Sequence, residues 1–209
     1  MAQRMAVFTD VQGLFYGCKA KGLGKVDYRK LLKGITEGRD IIRALAYIVQ
    51  RPDVSQEGFC EALVRTGFEL RVKEVQNRLD GNGRPIPAKG DYDVVLAIDA
   101  IQIASKVDVI VLVSGDGAYI PLVKHLRSCG CRIEVVAFDG CTSIELLKNS
   151  DRFIAIPDDW TFARQDSEEQ PVISMASELE DEQQPMSNAS ITSYGRAVRS
   201  PHKLKEVGT

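Results

Sequence analysis

Residues Val109 to Asp116 read VIVLVSGD, a run of five branched aliphatic residues that ends in Ser, Gly and Asp. A short apolar run followed by turn residues is typical of a strand that is buried on both faces of a parallel sheet. The same form recurs along the chain. We predict strands over Met5–Thr9, Ile41–Val49, Phe68–Val75, Val109–Ser114 and Ile133–Phe138. The sequence therefore predicts an α/β fold, a Rossmann-like three-layer sandwich with a mainly parallel central sheet.

Segments with helical periodicity fill the gaps between these strands, as they do in βαβ units. Several of them carry start and stop signals: Asp27 is a predicted N-cap, and Gly67 and Gly130 are predicted C-terminal glycines. Asp91 and Thr142 are two further predicted caps. We predict helices over Tyr28–Gly34, Gln56–Thr66, Asp91–Ser105, Ala118–Ser128 and Ser143–Asn149.

The composition of the chain changes after Trp160. From Gln165 onward the one aromatic residue is Tyr194, and Ser, Gln, Glu and Pro are frequent, which is typical of disordered segments. We predict a folded domain over residues 1–160 and a disordered acidic and polar tail over 161–209. Residues 165–209 carry eight acidic and four basic side chains. The formal net charge of −2 therefore averages a weakly basic body with an acidic tail, and it does not exclude a nucleic-acid partner.

The sequence contains no signal for a membrane location. No apolar run approaches the ~20 residues that a helix needs to cross a bilayer. The first residues of the chain also lack the apolar segment of a signal peptide. We expect a cytoplasmic protein that does not contact membranes.

Acidic residues follow two of the predicted strands. Asp10 comes directly after the first strand, and Asp116 follows the strand at Val109–Ser114. Ligands of open parallel sheets bind beyond the carboxyl ends of the strands, so we expect these two carboxylates at a common site. Asp is also a frequent turn residue and helix cap, and that simpler interpretation stays open.

Two more acidic residues lie in the predicted helix at Asp91–Ser105. Asp99 is surrounded in sequence by apolar residues, so we expect its carboxylate to be buried with a compensating partner. Asp93 lies in the first helical turn, where the helix dipole alone also stabilises an acid. We predict Asp10, Asp93 and Asp116 as metal ligands, and Asp99 as a ligand or a supporting group.

A cluster of carboxylates without His or Cys is an oxygen-only site, which suits Mg²⁺ or Mn²⁺ better than zinc. Such an ion activates a water and stabilises the leaving oxygen of a phosphodiester without a side-chain nucleophile. Other doubly wound classes lack their motifs here. There is no Gly-rich dinucleotide fingerprint after the first strand, no Walker A sequence and no G-x-S-x-G elbow.

Six motifs follow one another along the chain: Ala6 to Gln12, Lys89-Gly90 with Asp93 and Asp99, Val113 to Gly117, Pro121 to Val123, Thr142-Ser143 and Ser150 to Ile154. Taken together and in order, these motifs resemble the LabA-like NYN domain family of the PIN-like nuclease superfamily, over roughly residues 5 to 156. The resemblance implies a Rossmann-like sandwich, an acidic metal-binding pocket and ribonuclease activity, with some members acting as regulators. It places the family's acidic positions at Asp10, Asp93, Asp99 and Asp116.

The chain departs from the family pattern at two positions. Gly13 stands where the family usually has Asn, and Ala118 stands where it usually has a further Asp. Both replacements remove a polar side chain from the predicted site. Two hypotheses follow: a metal-dependent ribonuclease, or a catalytically impaired NYN module that binds RNA or a protein and regulates it. A second copy of the chain is a further candidate partner.

The expected substrate is single-stranded RNA. The predicted substrate-binding residues are Gln12, Ser114, Arg84 and Lys89, of which the last two lie in a Gly- and Pro-rich stretch, Asn77 to Lys89, that we predict to be an exposed loop. Phe15 and Tyr16 are candidate stacking surfaces. Because they follow a predicted helix start, we also expect at least one of the two to pack inside.

Overall fold

A six-stranded parallel sheet forms the centre of the computed structural model, which describes residues 2–50, 55–74, 78–79, 85–86 and 92–164. Two further short strands pair antiparallel inside the stretch predicted as a loop. The strands in chain order are β1 Arg4–Asp10, β2 Asp40–Gln50, β3 Glu69–Glu74, β4 Arg78–Leu79, β5 Pro85–Ile86, β6 Val109–Val113, β7 Arg132–Ala137 and β8 Arg152–Ala155.

The strand order in the large sheet is β3-β2-β1-β6-β7-β8. The chain builds outward from β1 to β3 and then returns to add β6 on the other side of β1. In the β1–β2 register Asp10 stands opposite Tyr47, and in the β1–β6 register Thr9 stands opposite Val113. This order is that of the doubly wound fold, whose ligand crevice opens where the strand order reverses, here between β1 and β6.

Helices cover both faces of the sheet. One core contains Val7, Val111 and residues of the first three helices, and the other contains Phe8, Leu112 and residues of the last three. Neighbouring residues of one strand therefore serve opposite cores, which explains why the strands are apolar without alternation. The helices are α1 Val11–Lys21, α2 Tyr28–Thr36, α3 Glu57–Thr66, α4 Asp93–Ile103, α5 Ile120–Ser128 and α6 Ile144–Asn149. The longest of them have eleven residues, and within the described ranges no helix has the length and apolarity to span a bilayer.

The predicted α/β fold class is confirmed, and the differences concern the ends of several elements and strands that were not predicted. The cap of α6 is Ser143, whose hydroxyl accepts from Leu146 N, and not Thr142. Helix α4 begins at Asp93 with Tyr92 at the cap position, so the prediction of Asp91 as the cap is wrong. Strand β8 has no counterpart among the predicted strands.

The chain continues to contact the folded region just beyond residue 160. Thr161 forms an isolated bridge with Val26, and Phe162 N donates to Lys25 O at 2.9 Å. The predicted tail lies outside the described residues from residue 165 on.

A buried acid in β7 was not predicted. Glu134 is 1 % exposed, and it forms ion pairs with Arg39 Nη1 at 2.9 Å and Arg132 Nε at 3.2 Å. Arg152 Nη1 lies at 3.9 Å. Arg39 just before β2, Arg132 of β7 and Arg152 of β8 thus compensate one carboxylate, as the cost of burying a charge requires.

Candidate active site

Asp10 occupies the carboxyl end of β1 and also caps α1. Its Oδ1 accepts from Gly13 N at 2.9 Å, and its Oδ2 accepts from Ser114 Oγ at 3.1 Å. Ser114 follows β6, the neighbouring strand, and is 1 % exposed. The two strand ends on either side of the topological switch are therefore joined by a hydrogen bond through the predicted residue Asp10.

Asp116 follows in the same loop. Ser114 Oγ also accepts from Asp116 N at 3.2 Å, and the Asp116 carboxylate accepts from Ala118 N at 2.8 Å, so that it caps the 3-10 turn over Gly117–Tyr119. Gly115 lets this loop approach its neighbour, because a Cβ there would lie 2.7 Å from Cys141 O. Asp116 itself is exposed.

Asp93, the first residue of helix α4, is bonded to the turn that follows Asp116. The hydroxyl of Tyr119 donates to Asp93 Oδ1 at 2.7 Å, and Tyr119 is 3 % exposed. Tyr119 is not among the predicted site residues, because an aromatic residue after a turn is typical of an ordinary core position. No sequence signal distinguishes its hydroxyl as a partner of Asp93.

We call Asp10, Asp93 and Asp116 the acidic edge. Burial raises the pKa of Asp10 above its usual range, the hydrogen bonds from Gly13 and Ser114 oppose this, and the negative charges of Asp93 and Asp116 raise it further. The pKa of Tyr119 is raised by burial, by its hydrogen bond to Asp93 and by the charges of all three aspartates. The charges of Asp93 and Asp116 therefore act on the buried carboxylate of Asp10, since like charges disfavour ionisation.

No counter-charge compensates these acids within the described part of the chain. The ion pairs found there involve other acidic residues, and none joins Lys, Arg or His to Asp10, Asp93 or Asp116. Mutual repulsion at a partly buried site is the electrostatic condition that a bound cation relieves.

The three carboxylates do not converge on a single point. Among residues 2–50, 55–74 and 92–164 no group of three or more His, Cys, Asp or Glu side chains is placed to hold a metal ion together. Each acid is instead fixed by a local hydrogen bond. The oxygen-only donor set still fits Mg²⁺, which keeps several waters and is usually held by one or two carboxylates together with substrate phosphates.

Asp99 lies on α4 with partners of its own. Its Oδ2 accepts from Tyr47 hydroxyl at 2.9 Å and from Arg71 Nε at 3.1 Å. Its side chain is 16 % exposed, so the carboxylate is substantially buried and compensated by an arginine. Tyr47, which stands on β2 opposite Asp10 of β1, connects Asp99 to the strand next to the one that carries Asp10. Its ring also lies 5.6 Å from that of Tyr92.

The predicted substrate-binding residues divide into two groups. Gln12 is half-buried in the first turn of α1, two residues after Asp10, and Ser114 contacts Asp10 directly. Arg84 and Lys89 lie outside the described residues. The expectation that Phe15 or Tyr16 packs inside is wrong: they are 47 % and 38 % exposed, because Leu14, Gly17 and Cys18 take the inward positions of α1.

Comparisons with known proteins agree with this architecture. LabA, the low amplitude and bright protein of Synechococcus elongatus, is 30% identical to this chain over 174 residues, which cover 82% of the chain and 93% of LabA. An uncharacterized protein of Methanocaldococcus jannaschii, MJ0482, is 22% identical over 142 residues, about half of its own length (52%) and 67% of this chain.

A solved structure shows the same likeness. The crystal structure of VPA0982 from Vibrio parahaemolyticus, a protein of unknown function, has a TM-score of 0.68 and 34% identity, and the match covers 76% of this chain and 95% of VPA0982. The model of the NYN domain matches residues 4–157, a range that includes both strand ends and every member of the acidic edge. The chain therefore belongs to the NYN domain family, a family of PIN-like nucleases.

Proposed function

We propose that this chain is a metal-dependent ribonuclease that hydrolyses phosphodiester bonds of single-stranded RNA at the acidic edge, with Mg²⁺ or Mn²⁺ as its cofactor. The observation that carries the proposal is the placement of Asp10, Asp93 and Asp116 around the ends of β1 and β6, at the topological switch, with no ion pair to a cation within the described chain. Membership of the NYN family supports RNA as the substrate.

The proposed metal ligands are the carboxylates of Asp10, Asp93 and Asp116. An ion held by one or two of them together with a substrate phosphate would activate a water and stabilise the leaving oxygen. Ser114 and Gly13 N hold the carboxylate of Asp10 from two sides, and Tyr119 holds that of Asp93. These contacts position the acids before substrate binds, which lowers the reorganisation needed during catalysis.

We assign Asp99 a positioning role in the same site. It binds Arg71 and the hydroxyl of Tyr47, and Tyr47 pairs with Asp10 across β1 and β2. Asp99 thereby fixes α4, the helix whose first residue is Asp93, against the strands that carry Asp10. In this role it acts through other residues and does not touch RNA.

For RNA contact we propose Gln12, together with Ser114, Arg84 and Lys89. The amide of Gln12 lies in the first turn of α1, beside the acidic edge, and offers both a donor and an acceptor. Ser114 already donates to Asp10 and accepts from Asp116 N, so its main contribution is to orient Asp10. Arg84 and Lys89 would supply positive charge to phosphates.

The test is cleavage of end-labelled single-stranded RNA with Mg²⁺ or Mn²⁺ by the wild-type chain and by Asp10→Asn. The proposal expects cleavage by the wild type, loss of cleavage on chelation, and a decrease of at least a hundredfold in Asp10→Asn. Undiminished cleavage by Asp10→Asn contradicts the proposed site. Val64→Ala, at an exposed position on α3, is the matched control.

A regulatory NYN module is the second candidate function, and one observation favours it. Ala118 is exposed beside Asp116, so the position where the family usually has a further acid faces solvent without a carboxylate. In that case the chain binds RNA or a protein partner, with residues 161–209 as an interaction segment. An inactive wild type together with a cleaving Ala118→Asp variant would establish this alternative.

A further inference from the structure

Phe15 and Tyr16 form an exposed aromatic pair on helix α1. Their ring centroids lie 5.6 Å apart, and the ring planes are inclined at 71°. The helical period explains the exposure, since Leu14, Gly17 and Cys18 are the buried residues of this helix. Two large aromatic side chains on a solvent face are costly to leave in water, which makes them candidates for a binding role.

The pair belongs to a continuous stripe that begins next to the acidic edge. Gln12, Phe15, Tyr16 and Lys19 are spaced i, i+3, i+4 and i+7, so they share one face of α1. The helix starts directly after Asp10, and a rise of 1.5 Å per residue places the two rings roughly 8 Å along the helix from that carboxylate. Lys19, exposed one turn further on, adds a positive charge.

We propose that Phe15 and Tyr16 form a base-stacking platform that leads single-stranded RNA to the acidic edge, an inference that rests on the proposed ribonuclease function. The faces of unpaired bases stack on aromatic rings whatever their sequence, and cations alongside bind the phosphates. In a duplex these base faces are already stacked on neighbouring bases, so the platform selects single strands. Lys19 is placed to contact the backbone beyond the stacked bases.

The charges along the stripe argue against a second copy of the chain as the occupant. Lys19, the charged member of the stripe, lies in the last turn of α1, and two such stripes packed together in parallel would bring the two Lys19 side chains close to each other. A polyanion complements the same charges. The combination of exposed rings with nearby lysines therefore fits a nucleic acid better than a copy of this surface.

The experiment measures RNA binding without cleavage. Asp10→Asn is used as the parent so that the RNA stays intact, and fluorescence anisotropy reports its Kd for a labelled ten-nucleotide RNA and for an abasic strand of equal length. The variant Phe15→Leu/Tyr16→Leu keeps apolar side chains and good helix formers but removes the aromatic faces. Phe15→Tyr preserves a ring, and Val64→Ala is an exposed apolar control far along the chain.

We expect the double leucine variant to bind RNA on the order of tenfold or more weakly, because stacking contributes at about this level for each base. Binding of the abasic strand should not change, Val64→Ala should bind RNA like the parent, and Phe15→Tyr, which keeps a ring, should lose much less affinity than the double leucine variant. Unchanged RNA binding by the double variant overturns the inference. An equal loss for RNA and abasic strand also overturns it, since charge and not stacking would then be responsible.

The ribonuclease proposal is judged separately, by cleavage with the wild-type chain. If the wild type does not cleave RNA but the double leucine variant binds RNA more weakly than its parent, the stacking platform is supported and the nuclease function is contradicted. If the wild type cleaves RNA while the double variant binds RNA as tightly as its parent, the nuclease function is supported and the stacking platform is contradicted. Thermal unfolding of each variant verifies that it is folded, and Tyr16→Leu alone provides a milder version of the test.

Discussion

The hydroxyl of Tyr119 donates a 2.7 Å hydrogen bond to the carboxylate of Asp93 and so joins the first turn of α4 to the turn that follows Asp116. We predict that Tyr119→Phe lowers kcat for RNA cleavage while KM stays nearly constant, because the tyrosine positions an acid and does not bind RNA. The free energy of unfolding should fall by about 1 kcal/mol, the net value of a typical hydrogen bond. Steady-state kinetics and urea unfolding measure the two effects. A raised KM with an unchanged kcat would instead assign Tyr119 to substrate binding.

The raised pKa of Asp10 gives a prediction about stability. Its ionised form is disfavoured in the folded chain, so ionisation lowers the free energy of unfolding as pH rises from the unfolded pKa through the higher folded pKa. At neutral pH Asp10→Asn should therefore be more stable than the wild type, since Asn caps a helix as well as Asp does. Each kcal/mol gained raises Tm by about 2–4 °C.

The Asp10→Asn variant also distinguishes the effect of the Asp10 charge on stability from the effect of metal binding. Mg²⁺ should raise the Tm of the wild type by mass action and should raise that of Asp10→Asn much less. Calorimetry at about pH 3, below the ordinary pKa of an aspartate, where the acid is largely protonated in both states, should reduce the difference between the two proteins. A wild type that is more stable than Asp10→Asn at pH 7 would contradict the repulsion within the acidic edge.

The Asp10 carboxylate occupies space that a side chain at position 13 would fill, and Gly13 has no side chain. A Cβ at position 13 would lie 2.4 Å from Asp10 Oδ2, so Gly13→Ala should displace that carboxylate and weaken its hydrogen bond from Ser114. We predict at least a tenfold loss of cleavage, measured with saturating Mg²⁺. Gly58→Ala is the matched control, because nothing lies within 4 Å of a Cβ there, and it should gain up to about 1 kcal/mol from helix propensity without losing activity.

Arg71 compensates Asp99, whose side chain is only 16 % exposed. Removing the cation alone leaves that acid without its charged partner, so Arg71→Met should destabilise the fold by about 1–3 kcal/mol. In the double variant Arg71→Met/Asp99→Asn part of this loss should return. Urea unfolding of the four proteins gives the coupling energy.

RNA cleavage by an Asp99 variant distinguishes whether Asp99 is a metal ligand or a positioning residue. As a positioning residue, Asp99→Asn should retain cleavage within a few-fold when it is assayed well below its Tm, whereas Asp10→Asn should not. A loss in Asp99→Asn as large as that in Asp10→Asn, with the protein still folded, would place Asp99 among the metal ligands.

Most of the sheet follows from the sequence because its strands are apolar on both faces. The run from Val109 to Val113 needs no alternation to be recognised, since both cores use it. Strand β8 escaped recognition for a physical reason: it is an edge strand of four residues that starts with Arg152 and is only half-buried. Glu134 likewise reads as a surface residue until three arginines, distant in sequence, are placed around it.

The site was predictable to the extent that it depends on strand ends. Asp10 and Asp116 could be selected because parallel strands bring their carboxyl ends to one edge. The partners that hold the acids could not: Tyr119 lies 26 residues from Asp93, and Arg71 lies 28 residues from Asp99. The prediction that Phe15 or Tyr16 packs inside is wrong, because Leu14, Gly17 and Cys18 are the residues of α1 that are buried.

The pairing of β1 with β6 also has a consequence for how the protein folds. Thr9 and Val113 are neighbours in the sheet, although more than one hundred residues separate them in the chain, and closing such a long loop is slow compared with forming the β1–β2–β3 half. During synthesis the first half can assemble while β6 is still missing, with Asp10 present but without Ser114, Asp116 or Tyr119. The acidic edge therefore comes into being only when the second half docks, so the nascent chain carries no complete site until that late step.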